Sequence, residues 1–131
     1  MNRFRLLAIF LFVSASTFAQ TQSEKEIKDL LAHKWKPMLL EEGGQKMPVP
    51  ADSDDWFLDI KADGTFILLD KEGRKTGKWS YDHKTKNFTA SNEIDPSDPW
   101  KFEVIKVSET ELVLQATEDE MTIKMYMKRV N

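Results

Sequence analysis

Residues 56–70 read WFLDIKADGTFILLD. Trp56, Leu58 and Ile60 share one parity while Asp59 and Lys61 take the other, the period-two pattern of a sheet with one dry face. Asp63-Gly64 then supplies the positive φ angles that a tight turn between right-twisted strands requires. The stretch is therefore a β-hairpin, and the chain on either side repeats its pattern. Downstream, strands are predicted at Gly77–Tyr81, Asn87–Ala90, Lys101–Val107, Glu111–Gln115 and Met121–Lys128. Upstream, Trp35–Leu40 is the first strand. The residues between it and Trp56 hold Gly43-Gly44, Pro48, Pro50 and an acidic cluster, and are predicted to be the longest loop, with no ladder of their own. Parity slips between Val104 and Val107, which predicts a bulge.

Eight strands result. The short connections, at Asp63-Gly64, Asp82–Lys86 and Ser108–Thr110, fall at one end of an up-and-down sheet and the longer loops at the other, with the brief Thr117–Glu120 turn as the exception. An eight-stranded antiparallel meander removes both exposed edges by closing into a barrel. A two-sheet sandwich with Greek-key crossings shares the strand count and turn spacing and is the rival architecture. Before the first strand, Ser23 with Glu26 makes a capping box, and Ile27, Leu30 and Leu31 form one stripe, so a short amphipathic helix leads into the sheet.

The amino terminus is of a different kind. Arg3 and Arg5 precede an apolar run from Leu6 to Val13, and Thr17-Phe18-Ala19 offers small residues at a cleavage point. This is a signal peptide over residues 1–19, leaving residues 20–131 as one domain, secreted or periplasmic. A membrane anchor needs about 20 apolar residues, and Ser14, Ser16 and Thr17 end this run too early. Cleavage after Ala19 removes two of 19 basic residues and none of the 22 acidic ones, for a mature net charge of −5. Nucleic acid is accordingly not an expected partner. Cysteine is absent, so the exported domain has no disulfide and stands on its core, to which aromatic side chains contribute much of the area.

Taken together, the helix leading to Trp35, the Asp63-Gly64-Thr65-Phe66 turn, the Gly77-Lys78-Trp79 segment, Val107-Ser108-Glu109-Thr110-Glu111-Leu112-Val113-Leu114 and the closing Lys128-Arg129 resemble the lipocalin-like domain of small secreted bacterial proteins. The resemblance covers most of the mature chain. Where lipocalins open with Gly-x-Trp, His33-Lys34-Trp35 keeps the tryptophan without the glycine. The resemblance implies an eight-stranded barrel, a binding role, and a basic residue, Arg129 or Lys128, lying across the indole of Trp35 in a structural cation–π pair.

Candidate chemistry is sparse. The histidines are His33, before the first strand, and His83, in a short turn; neither has a sequence partner for nucleophilic or metal chemistry. No enzyme activity and no cofactor are expected, with a carboxylate pair inside the barrel left as the open route to catalysis. Asp52-Ser53-Asp54-Asp55 and the acidic run from Asn92 to Asp98 match no EF-hand spacing and read as solvated loops. Asn87-Phe88-Thr89 fits a glycosylation sequon, which matters only in a host with that machinery. On the last strand, Met121, Ile123, Met125 and Met127 share the inward face, where methionine either lines an adaptable pocket or fills a dry core.

The expected function is binding of a small, largely apolar molecule in the barrel. The expected lining is Trp56, Leu58, Phe66, Trp79, Tyr81, Trp100, Phe102, Met121 and Met125. Trp56, Trp79 and Trp100 each start a strand running back from the far end, and are expected to ring the mouth below a loop carrying Met47 and Val49. A barrel filled by its own side chains and acting as a protein-interaction or inhibitor module is the alternative.

Overall fold

The computed structural model describes residues 22–50 and 52–130, and the expected signal peptide lies outside the described residues. Among the described residues one helix, α1 (Glu24–Leu31), precedes nine strands: β1 (Lys34–Glu42), β2 (Gln45–Pro48), β3 (Phe57–Ile60), β4 (Thr65–Asp70), β5 (Gly73–Asp82), β6 (Asn87–Asn92), β7 (Trp100–Val107), β8 (Glu111–Glu118) and β9 (Met121–Val130). From β3 to β9 each strand pairs antiparallel with the next, and β9 returns to pair with β1 from Lys34↔Val130 to Glu42↔Ile123. Together β1 and β3–β9 close an eight-stranded barrel, which excludes the sandwich.

The remaining strand, β2, lies outside that barrel. One edge of β1 is divided: its first residues, Lys34 and Trp35, pair with β3, and its last, Leu39–Glu42, pair with β2. The sequence placed a loop here because Gly43-Gly44 and the prolines break ladders. Both glycines instead take positive φ, +57° and +85°, and turn the chain straight back on itself. Pro48 sits at the last rung of the outermost strand, where a missing N–H costs nothing.

A second difference is at β5, which begins at Gly73 and not at Gly77. The polar run Glu72–Thr76 reads as loop, yet from Gly73 onward it pairs with β4, from Asp70↔Gly73 to Phe66↔Gly77. Its turn is held by the Glu72 N–H donating to Asp70 Oδ1 at 2.9 Å. Of the connections at that end, the β4–β5 and β8–β9 turns are therefore both tight. The bulge expected in β7 is present: register shifts between Val104 and Lys106, which leaves Ile105 outward while Val104 and Val107 are both buried.

At the opposite end, Ser23 Oγ accepts from the Glu26 N–H at 3.2 Å and starts α1, and Ile27 and Leu31 are buried in the barrel core. The Trp35 Nε1–H donates to the Leu31 carbonyl at 3.0 Å, so helix and first strand are joined through a fully buried indole. Arg129 is the cross-strand partner of Trp35, as the resemblance implied. Its guanidinium, however, donates to the Glu109 carbonyl at 3.3 Å, and the expected cation–π pair is not among the described contacts. His33 instead meets the Trp35 ring edge-on, at 6.3 Å between centroids.

Candidate functional site

Alternation along each strand sends one parity into the lumen. At the helix end the lumen is full: Leu31, Trp35, Ile60 and Leu112 are completely or almost completely buried. Toward the other end the side chains stop short and leave a cavity of about 590 Å³. Phe66, Phe88, Leu114 and Met127 line its depth; Pro37, Leu40, Leu68, Ala90 and Phe102 line its walls. The rim is made by Val49, Pro50 and Trp56 on one side and the Asp70–Glu72 turn on the other. The volume falls within the usual range for small-molecule sites, and the lining is mostly apolar and aromatic, as in such sites.

The segment from Val49 to Trp56 is tied across the gap between β1 and β3. Ser53 is the buried polar residue among the described core: its hydroxyl donates to the Pro50 carbonyl, and its own carbonyl accepts from the Trp56 N–H at 3.0 Å. Lys36 Nζ donates to the carbonyls of Ser53 and Asp54, so a lysine on the outer face of β1 fixes the segment from outside.

Six of the nine residues expected to form the site line this cavity: Trp56, Leu58, Phe66, Trp100, Phe102 and Met125. Trp100 meets Phe66 edge-on at 6.1 Å between centroids. The other three lie elsewhere. Because β5 starts at Gly73, Trp79 is near the end of its strand and not at its beginning, so it belongs to the helix end of the barrel. There it stacks on Phe88 at 5.8 Å and donates from Nε1 to the Lys61 carbonyl at 2.8 Å. Tyr81 follows on the same strand, with its hydroxyl buried and without a hydrogen-bond partner, and burial pushes that hydroxyl's pKa up. Met121 starts β9 beside the turn and is 51% exposed, whereas Met125 and Met127 reach the lumen. The ring of three tryptophans is therefore a pair, Trp56 and Trp100.

The sequence reading missed the charged part of the lining. Lys75 shares its parity with Gly77, Trp79 and Tyr81, and the same alternation carried two residues further back would have found it. Its ammonium lies 2.9 Å from Glu72 Oε2, 3.5 Å from Asp70 Oδ2 and 5.6 Å from the centroid of Trp100. The hydrogen bond to Glu72 is the main cause raising the Lys75 pKa, and the same bond lowers that of Glu72. Among the described residues no group of three His, Cys, Asp or Glu side chains is placed to hold a metal ion, and no helix is long and apolar enough to cross a membrane.

The fold is similar to a lipocalin-like protein from Bacteroides uniformis, with a TM-score of 0.56 at 19% identity over 77% of this chain and 99% of that one. It is also similar to an uncharacterised protein from Bacteroides eggerthii, with a TM-score of 0.54 at 12% identity over 76% of this chain and 98% of that one. No family model matches the chain, and no curated protein matches it.

Proposed function

We propose that this chain, a lipocalin-like domain by its closed barrel and by these structural likenesses, is an exported binding protein that holds a small, largely apolar molecule in its lumen. The observation that carries the reading is the unfilled half of the barrel. An eight-stranded barrel is just wide enough to be filled by its own side chains or to hold one small ligand, and here one end is packed while the other keeps about 590 Å³ lined by tryptophan, phenylalanine, leucine and methionine. A fully filled interaction module would have no use for that space. The reading as an exported protein rests on the Arg3–Ala19 pattern.

Titration with a neutral, environment-sensitive dye such as Nile red tests the site. Wild type is expected to bind and to brighten the dye. Leu68→Trp, which fills the mouth from β4, is expected to lose binding while keeping its melting temperature within a few degrees. Binding that survives Leu68→Trp unchanged places the dye outside the lumen and refutes the reading. Amino-terminal sequencing of the exported protein checks the compartment, with Gln20 as the expected first residue.

A further inference from the structure

The lumen is apolar except at its rim, where the charged lining residues are Asp70, Lys71, Glu72 and Lys75. Of these, Lys75 is carried by a lumen-facing strand position, and its side chain is only 18% exposed. Glu72, its partner at 2.9 Å, sits on the tight β4–β5 turn and is 68% exposed. Asp70 is held differently: its Oδ1 accepts from the Glu72 N–H, which leaves Oδ2 at 3.5 Å from the ammonium, a long and weak contact. The short contact thus comes from the side chain that can return to water at least cost, and the long one from the carboxylate the turn holds in place.

A ligand entering the lumen passes this ammonium and strips water from it. A neutral ligand desolvates a charge and supplies nothing in return. A ligand carrying an anion supplies a charge-assisted bond there and releases Glu72 to solvent. With Glu72 displaced, the remaining rim charges are two cationic and one anionic, a balance that favours an anion. The β-strand alternation that points Lys75 inward also places it beside Trp100, so the apolar part of such a ligand continues directly onto the cavity wall.

We infer that the lumen takes an anionic amphiphile, with its acidic head group on Lys75 Nζ in place of Glu72 and its apolar chain running past Trp100 into the barrel. This rests on the lumen being a ligand site, and Glu72 is then a built-in competitor for the head group.

Three ten-carbon probes of equal chain, decanoate, decanol and decyltrimethylammonium, separate the outcomes when each is titrated by calorimetry or by dye displacement. In wild type, decanoate is expected to bind about tenfold more tightly than decanol. Lys75→Met is expected to abolish that preference, bringing decanoate to or below the affinity of decanol, with Lys75→Gln as the substitute if the methionine variant does not fold. Glu72→Gln is expected to raise decanoate affinity about threefold relative to decanol. Equal binding of acid and alcohol in wild type, or a preference that survives at Lys75→Met, overturns the inference while leaving the lumen as the site. Tightest binding of the ammonium probe overturns it in favour of a cation held by Asp70 and Glu72. Failure of all three probes to bind removes the lumen reading itself, and this inference with it.

Discussion

Gly77→Ala tests the barrel where two of its strands come closest. A Cβ built on Gly77 lies 1.8 Å from the Ser91 carbonyl oxygen, 2.9 Å from the Ser91 carbonyl carbon and 3.0 Å from Phe66 Cε1. The obstruction is backbone of the adjacent strand β6, so no side-chain rotation relieves it. To reach an ordinary contact the strands must separate by more than an ångström locally, which weakens the ladder around Gly77↔Asn92 and displaces the Phe66 ring. Overpacking alone costs roughly 1–3 kcal/mol. Each ladder hydrogen bond lost adds about 1 kcal/mol. The expected loss is therefore about 3 kcal/mol or more, a large part of the stability of a domain this size. Urea unfolding followed by tryptophan fluorescence measures it, with an unchanged m-value confirming that the same surface unfolds. Gly64→Ala is the control: its φ of +91° is strained for alanine, but nothing lies within 4 Å, so about 1–2 kcal/mol is expected. A Gly77→Ala loss below that of Gly64→Ala would mean that β5 and β6 do not approach as described.

Other expectations follow from single environments. Met125→Asp, opposite Leu40 and Leu114 in the lumen wall, is expected to cost several kcal/mol in a thermal or urea melt; Lys124→Asp, outward and 3.8 Å from Glu41, is expected to cost under about 1 kcal/mol. The reverse order would overturn the inward register of β9. Tyr81→Phe removes a buried hydroxyl that has no partner, and is expected to be neutral or to stabilise by about 1 kcal/mol; a clear destabilisation would show that the hydroxyl is satisfied in solution. Burial first, and then the nearby Arg129 charge, lower the pKa of His33 from its ordinary value of 6.5. The unfolded chain therefore takes up a proton more readily than the folded one, and stability is expected to be complete above about pH 6.5 and to fall as pH drops toward the folded value. His33→Asn should flatten that part of the stability–pH curve, and an unaltered curve would assign the loss to other groups.

What could be read from the chain alone was whatever repeats at short range. Alternation in residues 56–70, the Asp63-Gly64 turn, the Ser23 cap and the parity slip in β7 are each properties of a few neighbouring residues, and each is found where expected, although of the Asp63-Gly64 pair only Gly64 takes a positive φ. Closure into a barrel followed from counting strands and asking where their edges go. The same local signal failed wherever strand residues are polar. The stretch from Glu72 to Thr76 has no apolar alternation because it lies at the rim, and a ladder requires backbone groups, not hydrophobic side chains. That miss started β5 four residues late, carried Trp79 to the wrong end of the barrel, and concealed Lys75. The Gly43-Gly44 stretch was misread for a related reason: glycine both ends strands and joins them, and only the presence of β1 beside it decides between the two. How far the lumen is filled is a property of the closed barrel alone, because it depends on which side chains from strands distant in sequence meet at the same height. Trp35 and Leu31 meet at one end and fill it, whereas at the other Trp56 and Trp100 stand at the edge of a space that no run of residues could have announced.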